Sequence, residues 1–270
     1  MEPYLPNYLK GKNRRLVFDL LRERGQMSRA EITRDTGMSF PTAMKVVDAF
    51  LEKGLLVELD ETGPAAGAGR KGRLLRFEPG AYRAVGVECE GRFARVGLAD
   101  MAGGVQARET IELGDFARTR DLSPLAAAIR RMCAAANGAP VLGVCIGFPA
   151  NLDPDAAAIV SYAAMDIQQP TSFAQVFPAF WREVELPVYL ENDANLACEG
   201  EAFLRRGAGG AANMLYLSIG SGCGGAVRLD GKLRRGARCR AGEVGAMLLQ
   251  PALGAPGRSA ARETLEDAVC

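Results

Sequence analysis

The chain has 270 residues, is 48% hydrophobic and 24% charged, and carries a formal net charge of +1. That composition excludes a disordered or collagen-like chain, and the length suits about two domains of ~100–200 residues that bury their cores without disulfide staples. The near-neutral total gives no bias toward polyanions or membranes, although residues 1–80 hold 14 Lys/Arg against 11 Asp/Glu and the remainder 19 against 21, which hints at a basic partner surface at the front. There is no histidine, which removes Ser-His-Asp and Cys-His nucleophiles, imidazole zinc ligands and histidine acid–base work. The seven cysteines (Cys89, Cys133, Cys145, Cys198, Cys223, Cys239, Cys270) never fall within four residues of one another, so no CxxC-type metal or redox motif is present. An odd, scattered set without a secretory leader predicts reduced thiols in the cytoplasm. No apolar run reaches the roughly 18–20 residues of a membrane span.

The front of the chain reads as helical. Leu16, Val17, Leu20 and Leu21 recur on one helical face. Ser28 with Glu31 forms a capping box opening a second helix, and Gly37 supplies its stop. Ser39 is a good N-cap for a third helix, with Pro41 in the first turn. Ala43, Val46, Val47, Phe50 and Leu51 make its apolar face, and Gly54 ends it. Two short strands, 55–59 and 73–77, flank the small-residue stretch 62–69, which would be a hairpin tip. Three helices with a tight turn and a hairpin predict a winged helix-turn-helix over residues 1–79. Its third helix would enter the major groove of operator DNA with Phe40, Thr42, Met44 and Lys45 outward. Lys45 would reach a phosphate or guanine, Thr42 a base edge or phosphate, and Phe40 or Met44 a thymine methyl. Arg70, Lys71 and Arg73 lie on the wing, within reach of backbone or minor groove. A small helical dimerisation or substrate-capping module with solvated charges fits the same pattern.

After residue 80 the pattern becomes α/β. Strands are predicted over 82–89, 93–99 and 105–113, a helix over 122–136, a buried strand over 140–148, a second helix over 173–184 and another buried strand over 187–190. A helix to about residue 204 follows, then strands 214–219 and 226–229 on either side of a glycine-rich turn over 220–225.

Residues 191–195 (Glu-Asn-Asp-Ala-Asn) with Gly200-Glu201, the run 220–225 (Gly-Ser-Gly-Cys-Gly-Gly), the Asp230-Gly231-Lys232-Leu233 and Arg235-Gly236 pieces, and 241–245 (Ala-Gly-Glu-Val-Gly) stand in an order and spacing that resemble the ROK family (repressor, open reading frame, kinase). The front domain is similar to the DNA-binding domain of that family's repressors at residues 28–31 and at Gly69-Arg70. The resemblance implies a ribonuclease H-like actin and sugar-kinase (ASKHA) α/β domain over residues 80–270, with an incomplete second lobe. Three departures stand out. The family's kinases carry a phosphate loop of the form Asp-x-Gly-Gly-Thr where this chain has Glu88-Cys89-Glu90-Gly91-Arg92, so a carboxylate and a side chain stand where backbone should approach phosphate. The family's zinc-binding His is Ala246, and its cysteine cluster aligns with residues 257–266, which hold Ser259, Ala260 and Thr264 and no cysteine. The chain also stops before the rest of the second lobe.

By the same resemblance, Asp193 matches the base that takes the sugar hydroxyl proton in the kinases, and here would accept a sugar hydroxyl bond beside Asn192. Glu243 matches a sugar-contacting Glu, and Asp166 falls near a sugar-binding Asn. Read from the residues alone, Asn192 and Asp193 fit a helix N-cap pair, Glu243 a surface carboxylate and Asp166 a loop residue. Residues 147–153 match the loop lining the sugar cleft, and the 220–225 turn is expected to be structural. The expectation is a cytoplasmic DNA-binding repressor, homodimeric or larger, that senses a sugar without catalysis, cofactor or metal. A sugar kinase with Asp193 as base, and a DNA-binding protein with a ligand-free scaffold domain, are the alternatives.

Overall fold

The computed structural model describes residues 5–62, 73–205, 212–220, 222–248 and 264–269. The chain divides into two compact units, Met1–Arg83 with Asp100–Gly104, and Ala84–Ala99 with Val105–Cys270.

In the first unit, α1 (Leu5–Arg24), β1 (Gln26–Ser28), α2 (Arg29–Thr36), α3 (Phe40–Glu52), β2 (Leu56–Thr62) and β3 (Arg73–Phe77) follow in order, and the strands pair antiparallel as β1-β3-β2. Ala43, Val46, Val47 and Phe50 recur at helical spacing and are buried, so α3 lays one face on the core. Val17 and Leu21 of α1 meet them there, whereas Leu16 turns outward and is 43% exposed. One residue is about 100° of helix, enough to carry Leu16 off the buried stripe. Phe18 takes the flank instead, its ring edge-on to Phe77 with centroids 5.5 Å apart.

The capping box forms: the Ser28 amide donates to Glu31 Oε2 at 2.8 Å, and Ser28 Oγ accepts from the Glu31 amide at 3.3 Å. Gly37 closes α2 at φ 66°, a conformation that suits glycine. Ser39 sits at the N-cap of α3, but its hydroxyl bonds Thr42 Oγ1 at 2.8 Å rather than a backbone amide. Strand β1 is too short for a periodicity to reveal, yet its last residue also caps α2.

In the second unit, β4 (Arg83–Glu90), β5 (Phe93–Asp100) and β6 (Val105–Glu112) come first. They are followed by α4 (Phe116–Thr119), α5 (Ser123–Ala135) and β7 (Val141–Phe148). A small antiparallel sheet of β8 (Asn151–Asp153), β9 (Ala158–Ser161) and β10 (Thr171–Ser172) comes next; it is absent from the sequence reading because its strands are two to four residues long. The helix expected over 173–184 is two helices, α6 (Phe173–Val176) and α7 (Pro178–Glu183). Pro178 has no amide to donate and drives Phe177 out of the helical region, to φ −126° and ψ 64°.

Then come β11 (Val188–Asn192), α8 (Asp193–Leu204), β12 (Met214–Ile219), β13 (Cys223–Leu229), β14 (Lys232–Arg234) and α9 (Leu265–Val269). The main sheet has the order β11-β7-β4-β5-β6, with β11 parallel to β7, and β12-β13-β14 form a separate antiparallel sheet. The glycine-rich turn is shorter than expected, because Cys223, Gly224 and Gly225 already pair with Ile219, Ser218 and Leu217 as strand. Alternation on β4 buries Val85, Val87 and Cys89 and exposes the residues between them. Phe148, fully buried at the end of β7, centres an aromatic cluster with Phe116, Tyr162, Phe173 and Phe177, ring centroids 5.5–5.9 Å away. Each buried phenylalanine contributes about 1.5–3 kcal/mol of apolar burial.

The Ser28 amide and hydroxyl hold the Glu31 carboxyl below the usual carboxylate range. A folded pKa below the unfolded one contributes stability above the unfolded value and loses it as pH falls through the folded value. Ser28→Ala is therefore expected to cost about 1 kcal/mol in urea unfolding at neutral pH. Glu31→Gln is expected to flatten the loss of stability on the acid side.

Candidate functional site

The first unit presents the exposed start of α3. Phe40 is 57% exposed, Lys45 is exposed, and Thr42 is half-buried with its hydroxyl held by Ser39. Met44 departs from expectation: it is half-buried and packs on the hydrophobic core, because it lies three residues before the buried Val47 and so flanks the same helical face. Arg73 on β3 is exposed and shares Glu58 with Arg29, at 3.7 and 2.5 Å respectively. That pairing, led by the Arg29 bond, keeps Glu58 ionised below its usual range. Arg70 and Lys71 lie outside the described residues. Arg29, absent from the expected set, is a further cation on this unit; its place after Ser28 was legible, its pairing with Glu58 was not.

In the second unit, the parallel register sets Glu191 beside Gly147 and Asn192 beside Phe148, so β7 and β11 end at one sheet edge. There the chain turns directly into α8. Asn192 caps that helix, accepting from the Asn195 amide at 3.1 Å, and its Nδ2 donates to the Ala150 carbonyl at 3.4 Å. Its side chain thus serves the N-cap reading. Asp193 is half-buried and accepts from the Ala194 amide at 2.9 Å. Beneath it, buried Glu191 takes both Arg235 Nε and Nη2, at 2.9 and 2.5 Å, and the Asn195 amide group at 3.1 Å. Neither Arg235 nor Asn195 stood out in the sequence, although both fall inside the quoted motifs.

Burial pushes the Asp193 carboxyl above its usual range, and Glu88 and Glu90 add to the push. Burial likewise raises Glu243, which stands before the 3-10 turn Val244–Ala246, and the Asp193 charge adds to it. The buried Cys89 thiol is pushed up to about 12 by desolvation first and Asp193 second, and Tyr162 is raised by burial first. Asp193, Glu243, Glu88, Glu90, Cys89 and Tyr162 therefore share one electrostatic neighbourhood. Arg95 on β5 holds the two carboxylates of β4, reaching Glu88 at 2.7 Å and Glu90 at 2.9 Å. Arg92 turns away to Glu112 at 3.4 Å. Asn151 Nδ2 donates to Ser161 Oγ at 2.9 Å, Arg240 reaches the same oxygen at 3.3 Å, and Asn151 Oδ1 is buried without a partner among the described residues.

Asp166 is not brought to this group. It adopts φ 53°, accepts from Gln168 at 3.0 Å, and lines an open depression of about 690 Å³ with Arg120, Ile167, Gln169, Thr171 and Gln175. Among the described residues no three His, Cys, Asp or Glu side chains converge as metal ligands, and no helix is long and apolar enough to cross a membrane. Thr264, in the stretch aligned with the family's cysteine cluster, bonds Asp267 through its hydroxyl at 2.6 Å.

Residues 84–266 match the ROK family. The chain belongs to that family. It is 27% identical over 241 residues to the xylose repressor of Caldicellulosiruptor bescii, covering 88% of this chain and 58% of that protein. It is 35% identical over 135 residues to the glucokinase of Halalkalibacterium halodurans, covering 47% of this chain and 38% of that one. A crystal structure of a ROK family transcriptional regulator, a homolog of the E. coli MLC protein, superposes with a TM-score of 0.68 at 18% identity, over 90% of this chain and 61% of that chain. The α/β fold of the ROK and sugar-kinase group is thus shared by the second unit, and the chain spans about three fifths of the length of the repressor and the regulator.

The carboxyl of Asp193 is raised in the fold, so the folded state binds the proton more tightly than the unfolded chain does. Its stabilising share is complete below the unfolded pKa and is lost as pH rises through the folded value. Asp193→Asn, which keeps the Ala194 bond, is therefore expected to raise the melting temperature at neutral pH. The gain is expected to vanish in acid below the usual aspartate range. Glu243→Gln follows the same sign with a smaller change, because Glu243 is only partly withdrawn from solvent.

Proposed function

We propose that this ROK protein is a DNA-binding transcriptional repressor that senses a sugar through a non-catalytic second unit. The observation that carries the reading is the pairing of two features in one chain. One is a capped α2, a Gly37 turn and an α3 exposing Phe40 and Lys45, beside the β2-β3 hairpin. The other is an ASKHA-type unit in which Glu90, held by Arg95, stands where the family's kinases need a phosphate-binding glycine. The first is read as a winged helix-turn-helix over residues 1–79, with α3 in the major groove and Arg70, Lys71 and Arg73 on the wing. The name of the Caldicellulosiruptor relative supports a pentose such as xylose as the effector.

Residues 80–270 are read as the sensor domain. Asp193 and Glu243 supply fixed acceptors for sugar hydroxyls, with Asn192 holding the helix that presents Asp193. Asp166, which lines its own depression, is left out of this effector site. Effector binding lowers operator affinity if the sugar is held more tightly in the DNA-free arrangement of a cytoplasmic homodimer.

Operator binding is expected to fall steeply with salt, and Lys45→Glu is expected to weaken it about tenfold or more while lowering the salt slope. Fluorescence anisotropy on genomic fragments enriched by the protein measures both. D-Xylose and D-glucose are then titrated into the complex. Asp193→Asn is expected to shift release to about ten- to a hundredfold higher sugar, equivalent to about 1.5–3 kcal/mol, with operator binding unchanged. Unchanged release in both Asp193→Asn and Glu243→Gln favours the scaffold reading.

The glucokinase relative keeps one rival in view, a kinase using Asp193 as base. A coupled assay over hexoses, amino sugars and pentoses is expected to show no ATP turnover. Turnover that disappears in Asp193→Ala establishes the kinase instead.

A further inference from the structure

Arg235 follows β14 directly, and its side chain and its carbonyl hold two different motifs. The guanidinium donates twice to Glu191 Oε2, from Nε at 2.9 Å and from Nη2 at 2.5 Å. The other oxygen of that carboxylate, Oε1, accepts from the Asn192 amide at 3.0 Å and from Asn195 Nδ2 at 3.1 Å. Asn192 and Asn195 flank Asp193 at the start of α8, so Arg235 reaches the backbone that carries Asp193 through one carboxylate. At its other end, the Arg235 carbonyl accepts from the Ala241 amide at 3.0 Å and closes the loop 235–241. Gly236 permits that closure at φ 72°, with Ala241 3.3 Å from where its Cβ would stand. Glu243 lies two residues beyond Ala241.

Asp193 and Glu243 belong to different sheets. Asp193 opens α8 at the edge of the main sheet, whereas the 241–245 segment lies on β13: a Cβ on Gly242 would stand 2.3 Å from the Gly225 carbonyl oxygen. The spacing of the two carboxyls therefore depends on bonds that cross from one sheet to the other. Arg235 on Glu191 is such a bond, and its acceptor is buried. Arg240 on Ser161 Oγ, at 3.3 Å, is a longer crossing from the same loop. Burial and then the Asp193 charge raise Glu243; Arg240 lowers it and Glu266 adds to the rise. Like charges held together by such bonds move apart when the bonds are cut. A planar guanidinium with two N–H groups on one oxygen fixes an orientation that an ammonium does not.

We infer that Arg235 is a positioning residue of the effector site: it acts through Glu191 and Ala241, joins the 191–195 and 241–245 motifs, and so sets the spacing of the Asp193 and Glu243 carboxyls. The inference rests on the proposed sugar-sensing reading and adds the residue that holds its two acceptors in register. Effector affinity follows from that spacing.

The coupling of the two carboxyls is read in the full chain as the change in the Glu243 titration midpoint when Asp193→Asn is introduced, followed by carbon-13 carboxyl resonances. With Arg235 in place, Asp193→Asn is expected to lower the midpoint. In Arg235→Lys, which keeps a cation on buried Glu191 without the two-nitrogen grip, that lowering is expected to shrink. Glu191→Gln with Arg235→Gln, which leaves no buried charge unpaired, is expected to act likewise. Calorimetry with D-xylose and D-glucose is expected to show about tenfold weaker binding in both, equivalent to about 1.4 kcal/mol. Arg228→Lys, in the ion pair between β13 and Glu199 of α8, is the control for stability alone. It is expected to lower the melting temperature and to leave both coupling and affinity unchanged. An unchanged coupling or full sugar affinity in Arg235→Lys overturns the inference, and so does an equal loss of both in Arg228→Lys. If the wild type binds neither sugar while the coupling is lost in the Arg235 variants, the sugar-sensing reading falls and the spacing role stands.

Discussion

The parallel register of β11 on β7 is the constraint from which the second unit's candidate site follows. Pairing Glu191 with Gly147 and Asn192 with Phe148 ends two strands at one edge and sends both chains over it together. The approach is close enough to need glycine. A Cβ on Gly147 would stand 3.2 Å from Leu196 Cδ2 and 3.4 Å from both the Asp193 Cα and the Val87 carbonyl. Three elements therefore meet at one point: the end of β7, the first turn of α8, and the strand that leads to Glu90. Phe148 fixes the same edge from below with its ring cluster. Open parallel sheets place ligand sites at such strand ends, because the turns there diverge and leave a crevice.

The electrostatics at that sheet edge agree with the proposed sugar-sensing reading and disfavour phosphate. Glu88 and Glu90 act on the Asp193 carboxyl and Asp193 acts on Glu243, and the two on β4 are paired with Arg95. A nucleotide would bring further negative charge into this field. A neutral polyol would find acceptors already positioned. The deeper carboxylate, Glu191, is different in kind. It is buried, bridged by two nitrogens of Arg235 and bonded to Asn195, so it ties the 191–195 motif to the segment after β14. Removing Arg235 would leave a buried charge without its partner, which is among the costlier changes a fold can suffer.

In the first unit one residue serves two elements. Ser28 ends β1, where it pairs with Leu74 of β3, and its hydroxyl caps α2. The entry angle of α2 is thereby set by the sheet, and Gly37 sets its exit toward α3. The side chains at the start of α3 are left in solvent because the core is filled from the opposite face by Ala43, Val46, Val47 and Phe50.

Much of this was legible in the amino-acid sequence, wherever local rules decide. The Ser28–Glu31 box, the Gly37 stop, the alternation on β4, the ends of β3 and β12 and the start of α8 at Asp193 all follow from capping, turn chemistry and periodicity, which operate within a few residues. The family motifs also lay in plain order along the chain. What the tertiary structure decided is everything that depends on which distant residues meet. Leu16 and Met44 look equivalent to their neighbours until the packing shows which side of each helix is inside. The break at Phe177–Pro178 and the short strands β8 to β10 carry too little periodic signal to read. Asp166 falls near the motif residues in the one-dimensional comparison, yet its loop turns it into a separate depression. Arg95 on Glu90, Arg235 on Glu191 and Glu266 on the Cys223 amide join residues 5, 44 and 43 positions apart. No spacing rule reaches across the intervening turns and strands, so those pairings exist only once the chain has folded.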